Sequence, residues 1–314
     1  MQSMIVTVTL NASIDKTYYV PAWSKGGGAR AVRTISTAGG KGLNVARVLR
    51  QLGHENVAAT GFTAGYNGMY IAERIVEAGI RAAFVEAHGE SRICMNVIDQ
   101  SDGSSTEVLE QGIEVGEEQL SELRQTLRLL SREAALVIFA GSLPRGVPAD
   151  WYAELIGIAR EEGALAFLDT SGEALLLGLD GKPDFVKPNE EEINALLPGE
   201  ERGDVLRGLS VLMERGITNA AITLGSAGAV AGSKGKFYKV GLPMLKTVNA
   251  VGSGDAFVAG YAYGCVRGWP SAECLRYGAA AGSANALSPM TGDVSADLMA
   301  ALLEQVKVEP WTVD

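Results

Sequence analysis

The stretch KTVNAVGSGD, residues 246–255, ends a glycine-rich turn with an aspartate just where an apolar helix is predicted to begin. The carboxylate of Asp255 could take the proton from a hydroxyl group, and the amides of Gly252, Ser253 and Gly254 could hold an anion at the helix N-terminus. Phosphoryl transfer requires such donors, a positioned acceptor and a base together. A plainer interpretation is that Asp255 caps the helix, since aspartate accepts backbone N–H bonds there.

A second glycine-rich segment, TAGGKGLNVARVL at residues 37–49, also precedes a helix. Its glycines allow close approach of the backbone, and first-turn amides make a site for an anion or a hydroxyl group. The segment is neither a Walker A loop nor a Rossmann fingerprint, and a simple tight turn is the alternative. Asp15, in NASID after the first predicted strand, could accept two sugar hydroxyls or merely belong to a turn.

The segment KPNEEE, residues 187–192, supplies the candidate metal ligand. Mg²⁺ prefers oxygen ligands and keeps several waters, so a carboxylate could hold the metal of a nucleotide directly or through water. Acidic residues in a first helical turn also stabilise the helix by themselves, which is the simpler role for Glu190 and Glu191. The two histidines, His54 and His88, do not favour a histidine-centred triad or a zinc hydrolase.

Strand-like apolar runs alternate with helix-like segments from about residue 135 onward, which indicates a parallel sheet covered on both faces. The runs are residues 135–144, 164–172, 183–192 and 220–228. Ligands bind beyond the carboxyl ends of strands in such sheets, so the polar residues that end the runs should share one site. These residues are Gly141, Ser142, Asp169, Lys187, Asn189, Thr223 and Gly225. Capping of the following helix is an equally good explanation for Ser142 and Asp169 taken singly.

The N-terminal part contains two further core strands, residues 4–10 and 56–62, and an amphipathic helix over residues 42–53 that ends at a glycine. Four alternating, β-branched or aromatic runs interrupt this pattern, as half-buried antiparallel strands do. We interpret them as a small β-sheet, about residues 12–37 and 89–112, that lies over the strand ends as a lid. A lid excludes water from the chemistry, and its exposed apolar face would suit a homodimer.

The whole chain has 314 residues, of which 47% are hydrophobic and 20% charged, so it can bury a large core. Its 27 basic and 37 acidic residues give a formal charge of -10, which opposes binding to nucleic acid. Three scattered cysteines are too few for a disulfide framework, which fits a cytoplasmic protein. No run of about 18 apolar residues occurs, so no membrane span is expected, and the N-terminus shows no targeting signal.

The chain resembles the PfkB/ribokinase-like carbohydrate kinases in the order and spacing of its motifs. The motifs are TLNASID, AGGKGLNVARVL, SRICMNV, FAGSLPRGVP, FVKPNEEE, ITLGSAGA and NAVGSGDAFVAG. They span about residues 5–290 and look most like the 1-phosphofructokinase and tagatose-6-phosphate kinase branch. The resemblance implies one kinase domain over residues 1–314, with a ribokinase-like three-layer α/β/α fold, a mostly parallel central sheet and a small β lid. It also implies transfer of the γ-phosphate of ATP, with Mg²⁺, to a hydroxyl of a sugar or sugar phosphate.

Carried over position by position, the resemblance makes Asp255 the catalytic base and the amides of Gly252, Ser253 and Gly254 the anion hole. The residues implied to hold sugar hydroxyls are Asp15, Gly39, Gly40, Lys41 and Asn44. The residues implied to lie near the phosphate of the substrate are Arg92 and Arg30 of the lid, with Ser142. The residues implied on the ATP side are Lys187, Asn189, Thr223, Gly225, Gly228, Gly282 and Asn285, with Glu192 for the metal.

Two residues depart from the family pattern. Ser253 replaces the usual alanine of the anion-hole motif, and Ala12 replaces a proline of the first motif. Serine is small enough to preserve the anion hole, and the second change costs only rigidity. Lys41 and Arg92 add positive charge that a neutral sugar would not need, so we expect a phosphorylated acceptor. Our first hypothesis is fructose 1-phosphate, followed by tagatose 6-phosphate and then fructose 6-phosphate.

Two functions of other classes share parts of this pattern. An NAD(P)-linked oxidoreductase requires a glycine fingerprint after the first strand, where this chain has NASID instead. A non-catalytic sugar-phosphate sensor on the same scaffold would have no need of an aspartate at position 255. The sequence therefore favours a kinase over both alternatives.

Overall fold

The computed structural model describes residues 2–312, which form one large and one small β-sheet. We number all strands together in chain order. The strands of the large sheet are β1 (Met4–Thr9), β4 (Val57–Ala64), β5 (Arg81–Ala87), β8 (Ala134–Ala140), β9 (Leu165–Asp169), β10 (Phe185–Val186), β11 (Asn219–Thr223), β12 (Ala229–Ser233), β13 (Lys236–Gly241) and β14 (Lys307–Trp311). The strands of the small sheet are β2 (Ser13–Val20), β3 (Arg33–Gly39), β6 (Arg92–Asp99) and β7 (Ser105–Leu109).

The large sheet has the strand order β14-β13-β12-β11-β10-β9-β8-β1-β4-β5. Neighbouring strands from β11 to β5 pair in parallel. The edge formed by β11, β12, β13 and β14 is antiparallel. Every residue of β1 and of β4 is buried, as expected for strands that helices cover on both faces. The predicted mostly parallel central sheet is confirmed.

Helices cover this sheet on both sides. They are α1 (Lys41–Gln51), α2 (Gly65–Glu77), α3 (Glu117–Glu133), α4 (Trp151–Glu161), α5 (Gly172–Gly178), α6 (Glu190–Leu196), α7 (Val205–Glu214), α8 (Ser253–Cys265), α9 (Ser271–Ala286) and α10 (Ala296–Leu303). Alternate residues of β1 enter two separate cores: Ile5 belongs to the core that includes residues of α1, α2, α8, α9 and α10, whereas Val6 belongs to the core that includes residues of α3 to α7. This alternation produces the three-layer α/β/α arrangement predicted from the sequence.

Aromatic side chains fix α8 on the central sheet. The ring of Tyr261 stacks on that of Phe185, with centroids 4.0 Å apart, and lies 5.7 Å from that of Phe167. Phe167 and Phe185 belong to the neighbouring strands β9 and β10, and their rings are 5.0 Å apart. Each such pair contributes about 0.5–1.5 kcal/mol beyond its burial. The packing therefore holds the start of α8, which carries Asp255, near the end of β9, which carries Asp169.

The small sheet, which we call the lid, has the strand order β3-β2-β6-β7. Its outer pairs are antiparallel as predicted, but β2 and β6 pair in parallel, with Ser13 opposite Arg92. The reason is that β2 follows β1 and β6 follows β5, and these two strands of the large sheet run in the same direction. Both chain segments therefore enter the lid from the same edge of the large sheet.

The described chain contains neither a membrane helix nor a disulfide. No helix within residues 2–312 is long and apolar enough to cross a bilayer. Cys94, Cys265 and Cys274 are free thiols.

Candidate active site

A cavity of about 880 Å³ lies between the lid and the carboxyl edge of the large sheet. The predicted site residues that line it are Asp15, Gly40, Lys41, Asn44, Arg92, Lys187, Asn189, Glu192, Thr223, Gly225, Gly228, Gly252, Ser253, Gly254, Asp255 and Gly282. The predicted site residues that do not line it are Gly39, Arg30, Ser142 and Asn285. The fold thus brings residues from distant segments to one cavity, as expected at the carboxyl ends of parallel strands.

The turn before α8 presents backbone amides to this cavity. Gly252 is the N-cap residue, with φ of 82°, and the helix begins at Ser253. A β-carbon at Gly252 would lie 2.6 Å from Cγ2 of Thr291, so both the backbone angle and the available space require glycine. Asp255 is the third residue of the helix and does not cap it, so the predicted helix start at about Asp255 is wrong. Its charge nevertheless lies in the first turn, where the helix dipole favours an anion.

The side chain of Asp255 is 5% exposed, and its Oδ2 accepts a 2.7 Å hydrogen bond from Nδ2 of Asn44 in α1. Burial and the negative charge of Asp169 raise the pKa of Asp255 to about 6, while Lys41, Asn44 and Lys187 act in the opposite direction. A carboxylate with a pKa near the working pH can accept a proton in the transition state and release it afterwards. The environment of Asp255 is therefore suited to general base catalysis.

Two lysines share one carboxylate at the sheet side of the cavity. Nζ of Lys41 lies 3.1 Å from Oδ1 of Asp169, and Nζ of Lys187 lies 3.5 Å from the same oxygen. Burial alone would raise the pKa of Asp169, but the two ammonium groups hold it below its usual value. Although burial opposes the effect, Asp169, Asp255 and Glu192 raise the pKa of Lys41. Ammonium groups next to helix amides form a suitable environment for the phosphates of a nucleotide.

Glu192 and Asp169 are the carboxylates that fit a nucleotide-bound Mg²⁺. Oε2 of Glu192 accepts a 2.8 Å bond from the amide of Asn189 in a capping box, while Oε1 lies 3.7 Å from Nζ of Lys41. Oδ2 of Asp169 is buried and has no hydrogen-bond partner within residues 2–312. The same range holds no cluster of three or more His, Cys, Asp or Glu side chains that would bind a metal alone. Mg²⁺ often uses only one or two carboxylates and completes its shell with waters and substrate phosphates, which matches this pair.

Asp15 faces the cavity from β2. Its Oδ1 accepts a 2.6 Å hydrogen bond from Oγ of Ser13, and burial raises the pKa of Asp15 against the opposing effect of that bond. Gly39, on the neighbouring strand β3, leaves space for this carboxylate, because a β-carbon there would lie 2.1 Å from Cγ of Asp15. Gly39 therefore supports the predicted hydroxyl-binding carboxylate without lining the cavity itself.

Arg92 faces the cavity from β6, next to the β1–β2 connection. Nε donates to the carbonyl of Asn11 at 3.1 Å, and one NH group donates to the carbonyl of Glu110 at 3.3 Å. These carbonyls use two of the five N–H groups of the guanidinium, which leaves donors for an anion. Nδ2 of Asn11 also lies 3.4 Å from Oγ of Ser142. Ser142 therefore lies beside the Asn11 contact and not on the cavity wall, and its role near the substrate phosphate stays a prediction.

Arg30 is exposed in the loop between β2 and β3, and the structure does not bring it to the cavity. Within the predicted lid segment 12–37, β2 ends at Val20 and β3 begins at Arg33, so residues 21–32 form a loop. The loop between them contains the run Gly26–Gly28, which has no side chains to pack against the lid. The strand-like patterns on both sides of this loop therefore did not predict the position of Arg30 relative to the cavity.

Thr223, Gly225 and Gly228 line the cavity where β11 ends and turns into β12, and Gly282 lines it from α9. A β-carbon at Gly282 would lie 2.9 Å from the carbonyl oxygen of Ser253, so this glycine also permits the close approach of α9 to α8. These residues line one cavity with Lys187 and Asn189, and their contact with a nucleotide stays a prediction.

Asn285 differs from the other predicted nucleotide contacts, because its side chain is used within the protein. Nδ2 donates to the carbonyl of Val251 at 2.9 Å and to Oγ of Ser253 at 3.3 Å. Oδ1 accepts from the amides of Gly292 and Asp293, and the residue is fully buried. Asn285 therefore holds the turn before α8 and is not placed to contact a ligand. The sequence motif could not distinguish a buried support from a binding residue on the same helix.

The sequence interpretation left several lining residues without a role. Asp169 is the most important, because the sequence places it at the shared site after a strand-like run but assigns it no specific role. Other lining residues without an assigned role are Lys16, Cys94, Asn96, Glu107, Met244 and Ser283. The lining residues that belong to the lid could not be predicted from the sequence. Alternation of polar and apolar residues predicts that a strand has two different faces, but not which face lines the cavity.

Comparison with known proteins supports the same interpretation. Residues 8–297 match the family described as pfkB family carbohydrate kinase. The tagatose-6-phosphate kinase of Staphylococcus epidermidis strain RP62A is 38% identical to this chain in an alignment of 311 positions that covers 97% of this chain and 99% of that protein. Nearly the whole length of the chain is therefore similar to a protein named as a sugar-phosphate kinase.

Phosphofructokinase-2 of Escherichia coli has the same fold. Its structures with potassium, with fructose-6-phosphate and in a tetrameric inhibited form give TM-scores of 0.90, 0.86 and 0.88. Sequence identity to them is 28%, 27% and 27%, over 96% of this chain and 99% of each of those chains. The predicted ribokinase-like fold is confirmed. The chain belongs to the pfkB family of carbohydrate kinases and is a sugar-phosphate kinase.

Proposed function

We propose that this chain transfers the γ-phosphate of ATP to a terminal hydroxyl of a ketohexose monophosphate. Kinases of this family use ATP as the phosphate donor. The observation that carries the proposal is that one cavity contains a base and two separate groups of anion-binding donors. The α8 amides and Lys187 lie beside Asp255 at the sheet side, and Arg92 lies on the lid. A substrate with a phosphate at one end and a hydroxyl at the other would contact both sides at once.

Each part of the cavity has a role in the proposed transfer. The carboxylate of Asp255 takes the proton of the attacking hydroxyl as its oxygen bonds to the γ-phosphorus. The bond from that phosphorus to the bridging oxygen breaks, and ADP leaves with its electron pair. The amides of Gly252, Ser253 and Gly254, with Lys187 beneath them, stabilise the charge on the transferring group. The lid excludes water that would otherwise accept the phosphoryl group.

The phosphate already present on the acceptor separates the candidate substrates. Arg92 offers free donors on the lid, and Lys16 of β2 also lines the cavity. The similarity to tagatose-6-phosphate kinase and to phosphofructokinase-2 favours a ketohexose 6-phosphate that is phosphorylated at its other end. We therefore rank tagatose 6-phosphate first and fructose 6-phosphate second. Fructose 1-phosphate, the first hypothesis from the sequence, is third. Its phosphate is on C1 and its free terminal hydroxyl on C6, the reverse of the arrangement in fructose 6-phosphate.

Mg²⁺ is the proposed metal of the reaction, and Glu192 with Asp169 would hold it. When bound, it would neutralise charge on the ATP phosphates and orient them for in-line transfer. The ammonium group of Lys41 contacts both carboxylates. Lys41 therefore keeps them in place and limits their mutual repulsion.

A homodimer through the outer face of the lid is the proposed assembly. Every residue of β7 is exposed, and Val108, which lies between the cavity-lining residues Glu107 and Leu109 and so on the opposite face, is 50% exposed. Val32, just before β3, is 61% exposed at the opposite edge of the same sheet. Exposed apolar residues on both edges of a small sheet are typical of a surface that pairs with another chain.

A coupled assay of ADP release tests the function. Purified protein with Mg-ATP is offered tagatose 6-phosphate, fructose 6-phosphate, fructose 1-phosphate and unphosphorylated tagatose and fructose. We expect turnover with at least one ketohexose phosphate and a far lower kcat/KM with both free sugars. ADP release with none of the phosphorylated ketohexoses, together with tight binding of one of them, would instead support a non-catalytic sensor.

The variant Asp255→Asn tests the base in the same assay. Loss of a positioned base should lower kcat on the order of a hundred- to ten-thousand-fold, while sugar-phosphate binding measured by calorimetry remains. Asp150→Asn is the matched control, because Asp150 is an exposed aspartate at the start of α4 that makes no capping hydrogen bond. Equal turnover in Asp255→Asn and Asp150→Asn would remove Asp255 from the mechanism.

A further inference from the structure

Arg47, in the second turn of α1, is a partly buried arginine with three hydrogen-bond acceptors around it. Its guanidinium donates to the side-chain Oδ1 of Asn44 at 2.6 Å and to the carbonyl of Thr291 at 3.1 Å. It also donates to the carbonyl of Ala38. The sequence interpretation gave Arg47 no role, and Arg47 does not line the cavity.

The contact between Arg47 and Asn44 fixes which way the Asn44 amide points. Because Oδ1 of Asn44 accepts from Arg47, its Nδ2 is left to face Oδ2 of Asp255, to which it donates at 2.7 Å. A flipped amide would place an oxygen against the carboxylate and an NH₂ group against the guanidinium, with repulsion at both ends. Arg47 therefore determines that Asp255 meets a donor.

The other two contacts connect this pair to the walls of the cavity. Ala38 directly precedes Gly39 and Gly40, which lead from the lid into α1. Thr291 directly precedes Gly292, whose amide is held by Asn285, the residue that also holds the turn before α8. One guanidinium thus joins the end of β3, helix α1 and the loop that supports the catalytic turn.

We propose that Arg47 is a positioning residue that holds the carboxylate of Asp255 in its reactive orientation through Asn44. The inference rests on the proposed role of Asp255 as the base. A planar guanidinium offers five N–H groups in a fixed arrangement, so it can serve three acceptors on three segments at once. A lysine has one nitrogen and cannot reproduce this geometry. The negative charges of Asp15, Asp255 and Asp293 also surround Arg47, so its positive charge is balanced.

The variant Arg47→Met tests the proposal in the ADP-release assay. We expect kcat to fall about ten- to a hundred-fold, because a small displacement of a catalytic group has effects of that order. The KM values for the sugar phosphate and for ATP should change by less than about threefold, as for an interaction that matters only in the transition state. Arg50→Met is the matched control, since Arg50 lies one turn later in α1 and donates to the carbonyls of Ala78 and His54, away from the cavity. The control should keep kcat within about twofold of the unmodified chain.

A double-mutant cycle distinguishes positioning through Asn44 from a general structural role. In an Asn44→Ala background, the further change Arg47→Met should alter kcat by less than about twofold, since the residue through which it acts is already absent. An equal fold-loss of kcat in both backgrounds, or an unchanged kcat in Arg47→Met, would overturn the proposal. If Arg47→Met does not fold, as judged by circular dichroism, the same cycle is run with Arg47→Lys, which keeps the charge.

Two results separate this inference from the proposed function. If Asp255→Asn is inactive while Arg47→Met has normal kcat, only the positioning role is wrong. If Asp255→Asn retains full turnover, the base assignment is wrong and the Arg47 inference falls with it. A chain that releases no ADP with any acceptor fails at the level of the proposed function itself.

Discussion

Asp255 is a buried carboxylate beside a second buried carboxylate, and this environment sets the pH at which it can act as a base. Burial and Asp169 raise the pKa of Asp255 to about 6, so protonation of Asp255 becomes significant as the pH falls through 6. The protonated form cannot accept the hydroxyl proton. We therefore expect kcat/KM to fall about tenfold per pH unit below 6 and to be independent of this group well above it. A pH–rate profile at fixed free Mg²⁺ checks this, and a profile that stays flat down to pH 5 would contradict it.

The two carboxylates proposed for Mg²⁺ can be tested by the metal requirement of the reaction. Glu192→Gln removes a charged ligand while keeping most of the shape of the side chain. We expect the Mg²⁺ concentration for half-maximal activity to rise by about tenfold or more, with sugar-phosphate KM little changed. Glu173→Gln is the control, because Glu173 is an exposed glutamate in the first turn of α5 and does not line the cavity. Identical Mg²⁺ curves for the two variants would count against Glu192 as a ligand.

At the scale of elements, the turn from Gly252 into α8 depends on one backbone conformation. Gly252→Ala places a β-carbon on a residue with φ of 82° and 2.6 Å from Thr291, so the turn and its amides must move. We expect kcat to fall on the order of a hundredfold. Gly268→Ala is the matched control, since Gly268 also has a positive φ, of 72°, but open space around it. Both changes should cost about 1–3 kcal/mol in the free energy of unfolding, and only the first should affect kcat.

Most elements of the fold could be predicted from the sequence, because each is encoded locally. Continuous apolar runs indicated the parallel strands, and their polar ends indicated where ligands would bind. The sequence predicts the start of α8 two residues too late. The N-cap residue is a glycine, which has no side chain to mark it, whereas Asp255 is of a residue type that is common at N-caps. The parallel pairing of β2 with β6 could not be predicted from alternation, since it follows from the directions of β1 and β5 in the other sheet.

At the scale of the whole molecule, the lid is the proposed dimer surface. Val108→Glu introduces a charge at the exposed apolar residue that β7 presents on the outer face of the lid. We expect the unmodified chain to have twice the mass of one chain by light scattering and Val108→Glu to shift towards one. Leu129→Glu is the control, because Leu129 is 62% exposed on α3, away from the lid. A single-chain mass for the unmodified protein at micromolar concentration would exclude this assembly.

The candidate site could be predicted only in part. Each sequence motif indicates which chemical groups it contributes, but not which residues from other segments will contact them. The glycine turns, Asp255 and the lysines were recognisable by residue type and spacing. The contact of Asp169 with both Lys41 and Lys187 depends on the order of strands in the sheet, and the orientation of Asn44 depends on Arg47. Arg30 and Asn285 are residue types that suit their predicted roles, but the structure places both off the cavity wall. Arg30 lies in a loop whose glycines do not pack against the lid, and the side chain of Asn285 is held by hydrogen bonds within the protein.

The connection of the lid to the large sheet has a consequence for the order of folding. The β2–β6 pair joins segments that are far apart in the chain, and each segment reaches the lid only through β1 or β5. Pairing of β2 with β6 before the large sheet forms would require closure of a long loop, whereas afterwards their ends are already neighbours. In refolding followed by pulse-labelled hydrogen exchange, the amides of β1 and β4 should therefore be protected before those of β2 and β6. The wall of the cavity that we propose binds the sugar phosphate is then the last part of the site to form, so a chain that has folded only its large sheet should not yet hold its acceptor.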